Sequence, residues 1–541
     1  MRAVWSLLLT LLLSSSALAQ DKMSREDKAA ILFSNRFSFT DDGEPVLSVG
    51  IMDQQKTITV SSKAGLVVHP SGPDGPSVTL AGNRKWAFRV KQSTPAGLAW
   101  RAVLDTVPTK DFKRVKESSS SWDQQGYKTV RLELGTLFSF QGTVFDSRET
   151  LLCAAQLFQT RKAAQEFLEA LPGGINDGQR VTEVLDSRPE GRVILEERET
   201  GISIEARNAI WFEPLDSSLI VQDVEYARGF PWHGHQTRSY GGSFYVAVDK
   251  TGQLAIANVL PAETMLRGLV PAEIYPDAPD AALQAQAISA RNELYSKIGH
   301  RHLADPYLIC SEQDCQVYKG QGAEKKRTNR AVQETRGKVI FDENGKLADI
   351  RYSSTCGGHT EDGNEAWAGV TSPNLRGRFD TEEGARTPMT EAEVEQFLTN
   401  PPTTYCGRST RSRSTFRWTQ KLPAKELNEL VAKKHQVGPV QSLEVLHRGV
   451  SGRANKLQVT GKKGTAVVDG ELTIRRLFGG LKSSLFVVKK STDGDWEFLG
   501  GGFGHGVGMC QIGAMEMARD GKNSDAILEF YYKGISVKRI Y

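Results

Sequence analysis

A glycine-dense segment near the C-terminal end of the chain presents two side chains suited to binding or catalysis. Residues 500–514 read GGGFGHGVGMCQIGA, in which six glycines within nine residues surround His505, and Gln511 follows. Glycine gives up more backbone entropy on folding than any other residue, so this density indicates positive φ angles or a ligand close to the backbone. The alternative is a flexible linker. A linker would be rich in serine and would not continue into a helical pattern that ends at Asp520-Gly521.

A glutamate far upstream offers acid–base chemistry. Glu273 lies in the apolar, proline-flanked segment VPAEIYP, which we predict to be a loop. Burial among Val270, Ile274 and Tyr275 would raise the pKa of its carboxyl, because an apolar environment disfavours the charged form. A general acid that works near neutral pH requires such a pKa. The competing interpretation is an exposed loop glutamate, the commonest fate of this residue type.

The elements that must position these groups begin with a helix directly after Glu273. We predict that Asp280 caps its start after Pro279 and that Gly299 lies just past its end. Its apolar residues recur at intervals of three and four and form a buried stripe: Leu283, Ala287, Ala290 and Leu294. The many alanines let this helix approach its neighbours closely.

The N-terminus and the charge balance restrict the class of protein. Residues 1–19 have a basic residue, a short apolar run and an Ala-x-Ala end, as in a secretory signal. No other stretch is long and apolar enough for a membrane helix, so we expect an exported protein, periplasmic or associated with the cell wall. The net charge of +4, from 68 basic and 64 acidic residues, is too balanced to indicate nucleic acid as a partner.

Cysteine usage agrees with export. The six cysteines all lie after the predicted signal: Cys153, Cys310, Cys315, Cys356, Cys406 and Cys510. An even number in an oxidising compartment favours disulfides. We predict a local bridge between Cys310 and Cys315 and a second between Cys356 and Cys406. The other two would be free thiols or a third pair.

Changes of pattern divide the chain, and we expect an α+β, multidomain protein. Short alternating apolar runs separated by turn residues predict a β-rich domain, and a strand then leads into a helix capped by Thr160. That helix, TRKAAQEFLEAL, with its flanking strands resembles a SPOR-like peptidoglycan-binding module; the alternative is an ordinary βαβ-type insertion. The predicted segments are 1–19 (signal), 20–45 (polar), 46–148 (β-rich), 149–208 (SPOR-like) and 209–541 (α+β).

Four separated motifs in the last segment resemble the SpoIID/LytB family, which comprises stage II sporulation protein D and the amidase enhancer LytB. They are NVLPAE with LVPAEI in 258–274, the DAALQAQAISARN helix at 280–292, YSSTCGGHTE at 352–361, and the closing glycine loop with its later YYKG. Their order and spacing both agree with the family over roughly residues 209–541. One departure is that Cys510 and Ile512 replace the more usual serine and tyrosine of the closing motif.

The resemblance implies a lytic transglycosylase that acts on peptidoglycan glycan strands stripped of stem peptides. Glu273 would be its single acid and base at the bond between N-acetylmuramic acid and N-acetylglucosamine, giving a 1,6-anhydro product. Because no water is consumed, the second carboxylate of ordinary glycosidases is not required. No cofactor is required either.

The same resemblance implies roles for further residues. Ser354, Gly357 and Gly358, with His505 and Gln511, are predicted to orient the sugar by hydrogen bonds. His505 could instead be a neutral histidine that bonds the loop backbone. For Arg291, in the QAQAISAR motif, a structural role and a substrate-orienting role are both open. Glu263, at a predicted strand end, is expected to be a hydrogen-bonding scaffold residue.

Two alternatives remain open at this stage. Some family members hold a metal with a His-Cys dipeptide, but Asp314 precedes Cys315 here, so a structural zinc at Cys310 and Cys315 with His300 or His302 is less favoured than a disulfide. The rival function is a non-catalytic wall-binding protein that enhances an N-acetylmuramoyl-L-alanine amidase.

Overall fold

The computed structural model is a mixed α and β structure. It describes residues 32–34, 37–140, 143–172, 175, 179–228, 233–367, 372–382, 387 and 390–541. The predicted signal sequence and part of the polar segment 20–45 lie outside these residues. Within the described chain, no helix is long and apolar enough to cross a membrane.

Two large sheets enclose the main core. The first contains eight strands, seven of them in the order Ser38–Phe39, Pro45–Gln55, Leu254–Pro261, Ser243–Val248, Ala209–Pro214, Gly65–His69 and Val78–Ala81, with Ile309–Cys310 parallel to the second of these. The other sheet has the order Ser203–Arg207, Glu190–Glu196, Arg84–Thr94, Thr57–Ser62, Leu219–Tyr226 and Gly234–Tyr240. Phe88 and Phe212 join the two sheets, with ring centroids 5.0 Å apart.

These pairings cross the domain boundaries that the sequence predicted at 148 and 209. Strand Pro45–Gln55 pairs with Leu254–Pro261, with Ser48 opposite Val259, and strand Gly65–His69 pairs with Ala209–Pro214. Sequence patterns show where strands occur, whereas pairing between distant strands depends on the tertiary structure. The early strands therefore build the same core as the later region.

A compact module projects from this core. Its four-stranded antiparallel sheet has the order Arg180–Ser187, Gly97–Pro108, Glu149–Ala154 and Thr129–Leu134, with helices Phe112–Gln124 and Arg161–Glu169. In chain order this is βαββαβ, a split βαβ topology. Thr160 caps the second helix, as predicted, by accepting a hydrogen bond from the Ala163 N–H. The module thus begins near residue 97, so the predicted segment 149–208 contains only its second half.

Two helices carry the family motifs. Residues 262–273, predicted as a strand end and a loop, form the helix Ala262–Glu273 despite Pro271 inside it. Pro271 lies in the last turn, so the helix is almost complete before the proline interrupts it. The predicted second helix is confirmed as Asp280–Lys297, but Pro279 occupies its N-cap and the Asp280 side chain makes no capping bond. Gly299 follows with a φ of 78°, as expected.

An inserted region with its own core separates the SSTCGG motif from the closing loop. Two three-stranded sheets form it, in the orders Arg417–Leu422, Trp496–Gly501, Phe486–Lys490 and Val440–Arg448, Ala454–Gly461, Gly464–Asp469. The predicted β-rich stretch near residues 441–474 is thus confirmed except at its end. The core of the insertion includes Leu427, Val459 and Phe498, all fully buried.

Three short strand pairs lie outside the larger sheets of the described chain. Tyr352–Ser353 lies parallel to Met509–Cys510, Lys338–Phe341 pairs with Ser536–Arg539, and Leu137–Phe140 forms a hairpin with Thr143–Asp146. The pair of Tyr352–Ser353 with Met509–Cys510 brings the two family loops side by side.

The remaining helices of the described chain are Lys326–Glu334, Gly363–Ala366, Glu391–Thr399, Tyr405–Arg408, Arg413–Phe416, Ala424–Ala432, Glu471–Leu477, Gln511–Arg519 and Ser524–Tyr531, with 3-10 turns at Gln321–Ala323 and Thr410–Ser412.

Candidate active site

Glu273 is the last residue of its helix, and its side chain is partly buried. The Val317 N–H donates to its Oε1 atom at 2.9 Å. Among the described residues, its other carboxyl oxygen has no hydrogen-bond partner. One oxygen is therefore fixed by the backbone while the other can hold a proton for a ligand.

The surroundings of Glu273 favour the protonated carboxyl. Burial raises its pKa to about 7, the Val317 N–H acts against this shift, and the negative charge of Glu293 adds to it. Lys297 and Lys319 act in the lowering direction. A carboxyl with this pKa is partly protonated at neutral pH, as a general acid must be.

Gln511 ties the closing loop to the peptide of Glu273. Its Nε2 atom donates to the Glu273 carbonyl at 2.8 Å and to Gln286 Oε1 at 3.0 Å. Gln511 is 7% exposed and Gln286 is fully buried. The Gln511 amide therefore contacts the backbone of the candidate acid, and its predicted bond to the sugar stays a prediction.

His505 lies in the closing loop with its ring uncharged. Burial lowers the pKa of His505 to about 3, and the nearby charges of Arg475, Arg351 and Arg453 act in the same direction. Its Nδ1 accepts from the Val507 N–H at 3.0 Å, and its ring packs 4.8 Å from that of Trp367. This geometry matches the alternative prediction of a neutral histidine that bonds the loop backbone.

Tyr352 interacts with both Glu273 and the closing loop, which the sequence did not reveal. Its backbone interacts with the His505 ring, and its side chain is within electrostatic reach of Glu273. Its hydroxyl donates to Gln316 Oε1 at 2.8 Å. Its place directly before SSTCGG was the only available signal. Tyr352 thus connects the candidate acid, the closing loop and the segment that carries Val317.

The loop at residues 354–358 packs against the closing glycines. Gly357 and Gly358 are buried with φ angles of 76° and 104°. A side chain on Gly357 would collide with the backbone at Gly502. These two glycines are accounted for by packing, so their placement does not support the predicted contact with sugar. Ser354 is partly exposed, and its carbonyl accepts from the Ile512 N–H at 3.1 Å.

Positive φ angles account for the glycines of the closing loop itself. Gly502, Gly504, Gly506 and Gly508 all have φ between 71° and 101°. At Gly506 a side chain would also overlap the guanidinium of Arg453. Arg453 is fully buried and donates to the Cys356 carbonyl at 2.8 Å. The inserted region therefore supports both family loops through one arginine, which no local sequence pattern indicated.

Glu263 and Arg291 form a buried ion pair below the site. Both nitrogen–oxygen distances of this bidentate pair are 2.7 Å, and the guanidinium also donates to the carbonyls of Lys338 and Val332. Burial acts to raise the pKa of Glu263, but the charge and hydrogen bonds of Arg291 outweigh it and lower the pKa. This placement favours the structural role of the two predicted for Arg291, and it agrees with the scaffold role predicted for Glu263.

A first group of metal-binding side chains lies upstream of Val317. The ligand atoms of His302, Cys310 and Cys315 lie within 4.8 Å of one another, and His302 Nε2 is 3.3 Å from Cys315 Sγ. No bond joins the two sulfurs. His300 lies elsewhere, with Nε2 3.0 Å from the Ser147 carbonyl. Both the predicted disulfide and the alternative zinc site at these cysteines remain predictions.

The fold and the site define a mixed α and β protein in which a protonatable carboxyl at a helix end contacts a glycine-rich loop through its backbone. Comparison with known sequences then shows which families the chain resembles. Residues 250–341 match the family described as Stage II sporulation protein (SpoIID), and residues 361–508 match a domain of unknown function, DUF8618. The second match coincides with the inserted region.

Individual relatives are similar to this chain at 26–27% identity. An uncharacterized protein of Brachyspira hyodysenteriae is 27% identical over 350 residues, 64% of this chain and 80% of the relative. The amidase enhancer of Bacillus subtilis is 27% identical over 293 residues, 50% of this chain but 40% of the relative. Stage II sporulation protein D of Bacillus amyloliquefaciens is 26% identical over 313 residues, 54% of this chain and 78% of the relative. The resemblance to the SpoIID/LytB family that the motifs predicted is confirmed.

Proposed function

We propose that this protein is an exported lytic transglycosylase that cleaves peptidoglycan glycan strands. Similarity to proteins named stage II sporulation protein D and amidase enhancer supports a role at the cell wall. The observation that carries this proposal is the environment of Glu273. Its carboxyl has a pKa of about 7, and one carboxyl oxygen has no hydrogen-bond partner among the described residues. The substrate is the bond between N-acetylmuramic acid and N-acetylglucosamine in strands without stem peptides.

One carboxyl accounts for both proton transfers. Protonated Glu273 donates to the glycosidic oxygen, and the bond from that oxygen to C1 of N-acetylmuramic acid breaks as positive charge develops at C1. The carboxylate then removes the proton from the C6 hydroxyl of the same sugar, and the C6 oxygen bonds to C1. The products are a 1,6-anhydro end and a free hydroxyl on the leaving sugar, and Glu273 is protonated again.

The surroundings of Glu273 suit this double role. The Val317 N–H stabilises the carboxylate that forms after the first transfer, while burial and Glu293 favour the acid that must be regenerated. A pKa close to the working pH lets one group give and take a proton with little cost. The reaction requires no cofactor. Ser354, which is partly exposed beside the closing loop, is proposed to bond the sugar.

The test is product formation from glycan strands lacking peptides, followed by mass spectrometry of 1,6-anhydro ends. Glu273→Gln should lower the rate by at least about 10²-fold while keeping the fold, since the amide has a similar shape but no acidic proton. Asp277→Asn is a matched control, because this exposed residue of the same segment pairs only with Arg411 among described residues. Full activity of Glu273→Gln would refute the assignment.

The second candidate is an accessory protein that enhances an amidase, as the name of the Bacillus subtilis relative suggests. The chain spans 40% of that relative, so the comparison covers less than half of its length. Such a protein would release no anhydro ends, would bind sacculi, and would increase N-acetylmuramoyl-L-alanine amidase activity equally with Gln or Glu at position 273. The same purified variants therefore separate the two functions.

A further inference from the structure

Four buried side chains converge behind the two family loops. The ligand atoms of Cys356, Cys406, Cys510 and Asp380 all lie within 4.8 Å of one another. None of the four residues exposes any surface. They come from four separate segments: the SSTCGG loop, two parts of the DUF8618 region and the start of helix Gln511–Arg519. The proposed reaction uses none of them, and they are distinct from the group at His302.

The spacing of the sulfurs suits a metal ion better than a bond. Cys356 Sγ and Cys406 Sγ are 3.7 Å apart. In a tetrahedral zinc site with bonds of about 2.3 Å, two thiolate sulfurs lie about 3.8 Å apart. A disulfide would require about 2.05 Å, well below the 3.7 Å between these two sulfurs.

Hydrogen bonds hold the Asp380 carboxylate in place, as they usually do for carboxylate ligands in metal sites. Asp380 accepts from the Tyr531 hydroxyl at 2.6 Å and from the Cys406 N–H at 2.7 Å, one bond to each oxygen. Each oxygen keeps a further lone pair for a cation. Outer hydrogen bonds of this kind orient ligands in metal sites.

The surroundings also accommodate thiolates. Cys510 Sγ accepts from the N–H groups of Cys356 at 3.2 Å and Gly513 at 3.4 Å. Arg453 donates to the Cys356 carbonyl, and Arg417 donates to the Gly357 carbonyl at 2.9 Å. Two guanidinium groups therefore offset the negative charge that three thiolates and a carboxylate would leave around a divalent cation.

We propose that Cys356, Cys406, Cys510 and Asp380 form a structural zinc site. Three thiolates and one carboxylate in a closed, buried arrangement select zinc among common divalent metals. On binding, thiol protons of the cysteines are released and four ligand bonds form, with no change in oxidation state. The metal joins the DUF8618 region to both family loops, and Cys510 immediately precedes Gln511, which holds the Glu273 peptide.

The first test distinguishes metal from disulfide on the full exported chain, purified without reductant. Zinc is measured by inductively coupled plasma mass spectrometry, and cysteines are alkylated in denaturant with EDTA, before and after adding reductant. We expect zinc in the protein, and complete alkylation of Cys356, Cys406 and Cys510 without reductant. A Cys356–Cys406 linked peptide that needs reductant, or protein without bound metal, overturns the proposal.

The second test assigns the metal to this site. Cys510→Ser introduces the residue usual in the family motif, so the fold should persist while zinc content falls by up to about one ion per chain. Cys153→Ser, a buried cysteine of the βαββαβ module, is the matched control and should retain the wild-type content. Cys315→Ser measures any separate contribution of the His302 group. Unchanged zinc content and affinity in Cys510→Ser would overturn the proposal.

Discussion

At the scale of single residues, Glu273 combines an apolar environment with a single backbone hydrogen bond. Burial alone would favour the neutral acid strongly, while the Val317 N–H favours the carboxylate. The balance leaves the pKa of Glu273 at about 7. His505, with a pKa of about 3, stays neutral over the same range. The pH dependence of catalysis should therefore follow the glutamate and not the histidine.

The role of Glu273 as an acid determines whether the rate rises or falls with pH. If Glu273 must be protonated in the free enzyme, kcat/KM for release of anhydro ends should fall as pH rises above about 7, approaching tenfold per unit. The profile is measured with peptide-free strands from pH 5 to 9, alongside binding to sacculi. A rate that rises steadily through this range would contradict an acid at position 273.

We propose that Gln511 is a positioning residue, which acts through Glu273. Gln511→Leu removes the amide that bonds the Glu273 carbonyl, and a displaced acid should lower kcat by up to about 10²-fold with little change in KM. Gln284→Leu is the control, since this glutamine bonds Glu334 on the surface. An equal loss in both variants, or a loss confined to KM, would argue against positioning.

At the scale of elements, a buried ion pair fastens the two motif helices together. Glu263 lies in the first turn of one helix and Arg291 lies within the next. The Tyr541 hydroxyl also donates to Glu263 Oε1, at 2.6 Å, beside the bidentate contact of the pair. Both residues are almost completely buried. The motifs LPAE and QAQAISAR thus meet in space because the helices they specify pack together.

Breaking the ion pair between Glu263 and Arg291 should lower the stability of the fold. Arg291→Met leaves a buried carboxylate without its cation and should lower the free energy of unfolding by about 3–5 kcal/mol, whereas Glu263→Leu combined with Arg291→Met should recover part of the loss. Urea unfolding followed by circular dichroism measures both. A stable Arg291→Met variant that no longer binds glycan would instead support the substrate-orienting role.

At the scale of the whole molecule, strands from the first hundred residues complete the sheets of the SpoIID region. Pro45–Gln55 lies between Ser38–Phe39 and Leu254–Pro261, and the Glu44 side chain accepts from the Glu263 N–H at 2.6 Å. Removal of these strands would expose the apolar faces of buried strands such as Ser243–Val248. The family region therefore depends on residues far outside its motifs.

A fragment of residues 209–541 should consequently fail to fold on its own. We expect it to lack a cooperative thermal transition and to be cleaved rapidly by protease, because half of its main sheet is missing. A fragment of residues 37–541, which keeps every strand of that sheet, is the control and should unfold cooperatively. Cooperative unfolding of both fragments would show that the region is autonomous.

The sequence predicted those features of the fold that interactions between neighbouring residues determine. Apolar periodicity specified helix Asp280–Lys297, the Thr160 side chain specified a helix start, and glycine density specified the positive φ angles of the closing loop. The raised pKa of Glu273 was predicted from its apolar neighbours, whereas its role as the acid came from the family resemblance and stays a proposal. Each of these features depends on residues close together in the chain.

Tertiary structure alone decided what those features contact. The strand pairs across residue 209 and the convergence of Cys356, Cys406, Cys510 and Asp380 both join segments distant in sequence. Helix packing, and not residue type, turned Arg291 inward to Glu263 and placed Gln511 against the Glu273 peptide. Partners hundreds of residues apart leave no local pattern, because their energies arise only once the chain has closed around them.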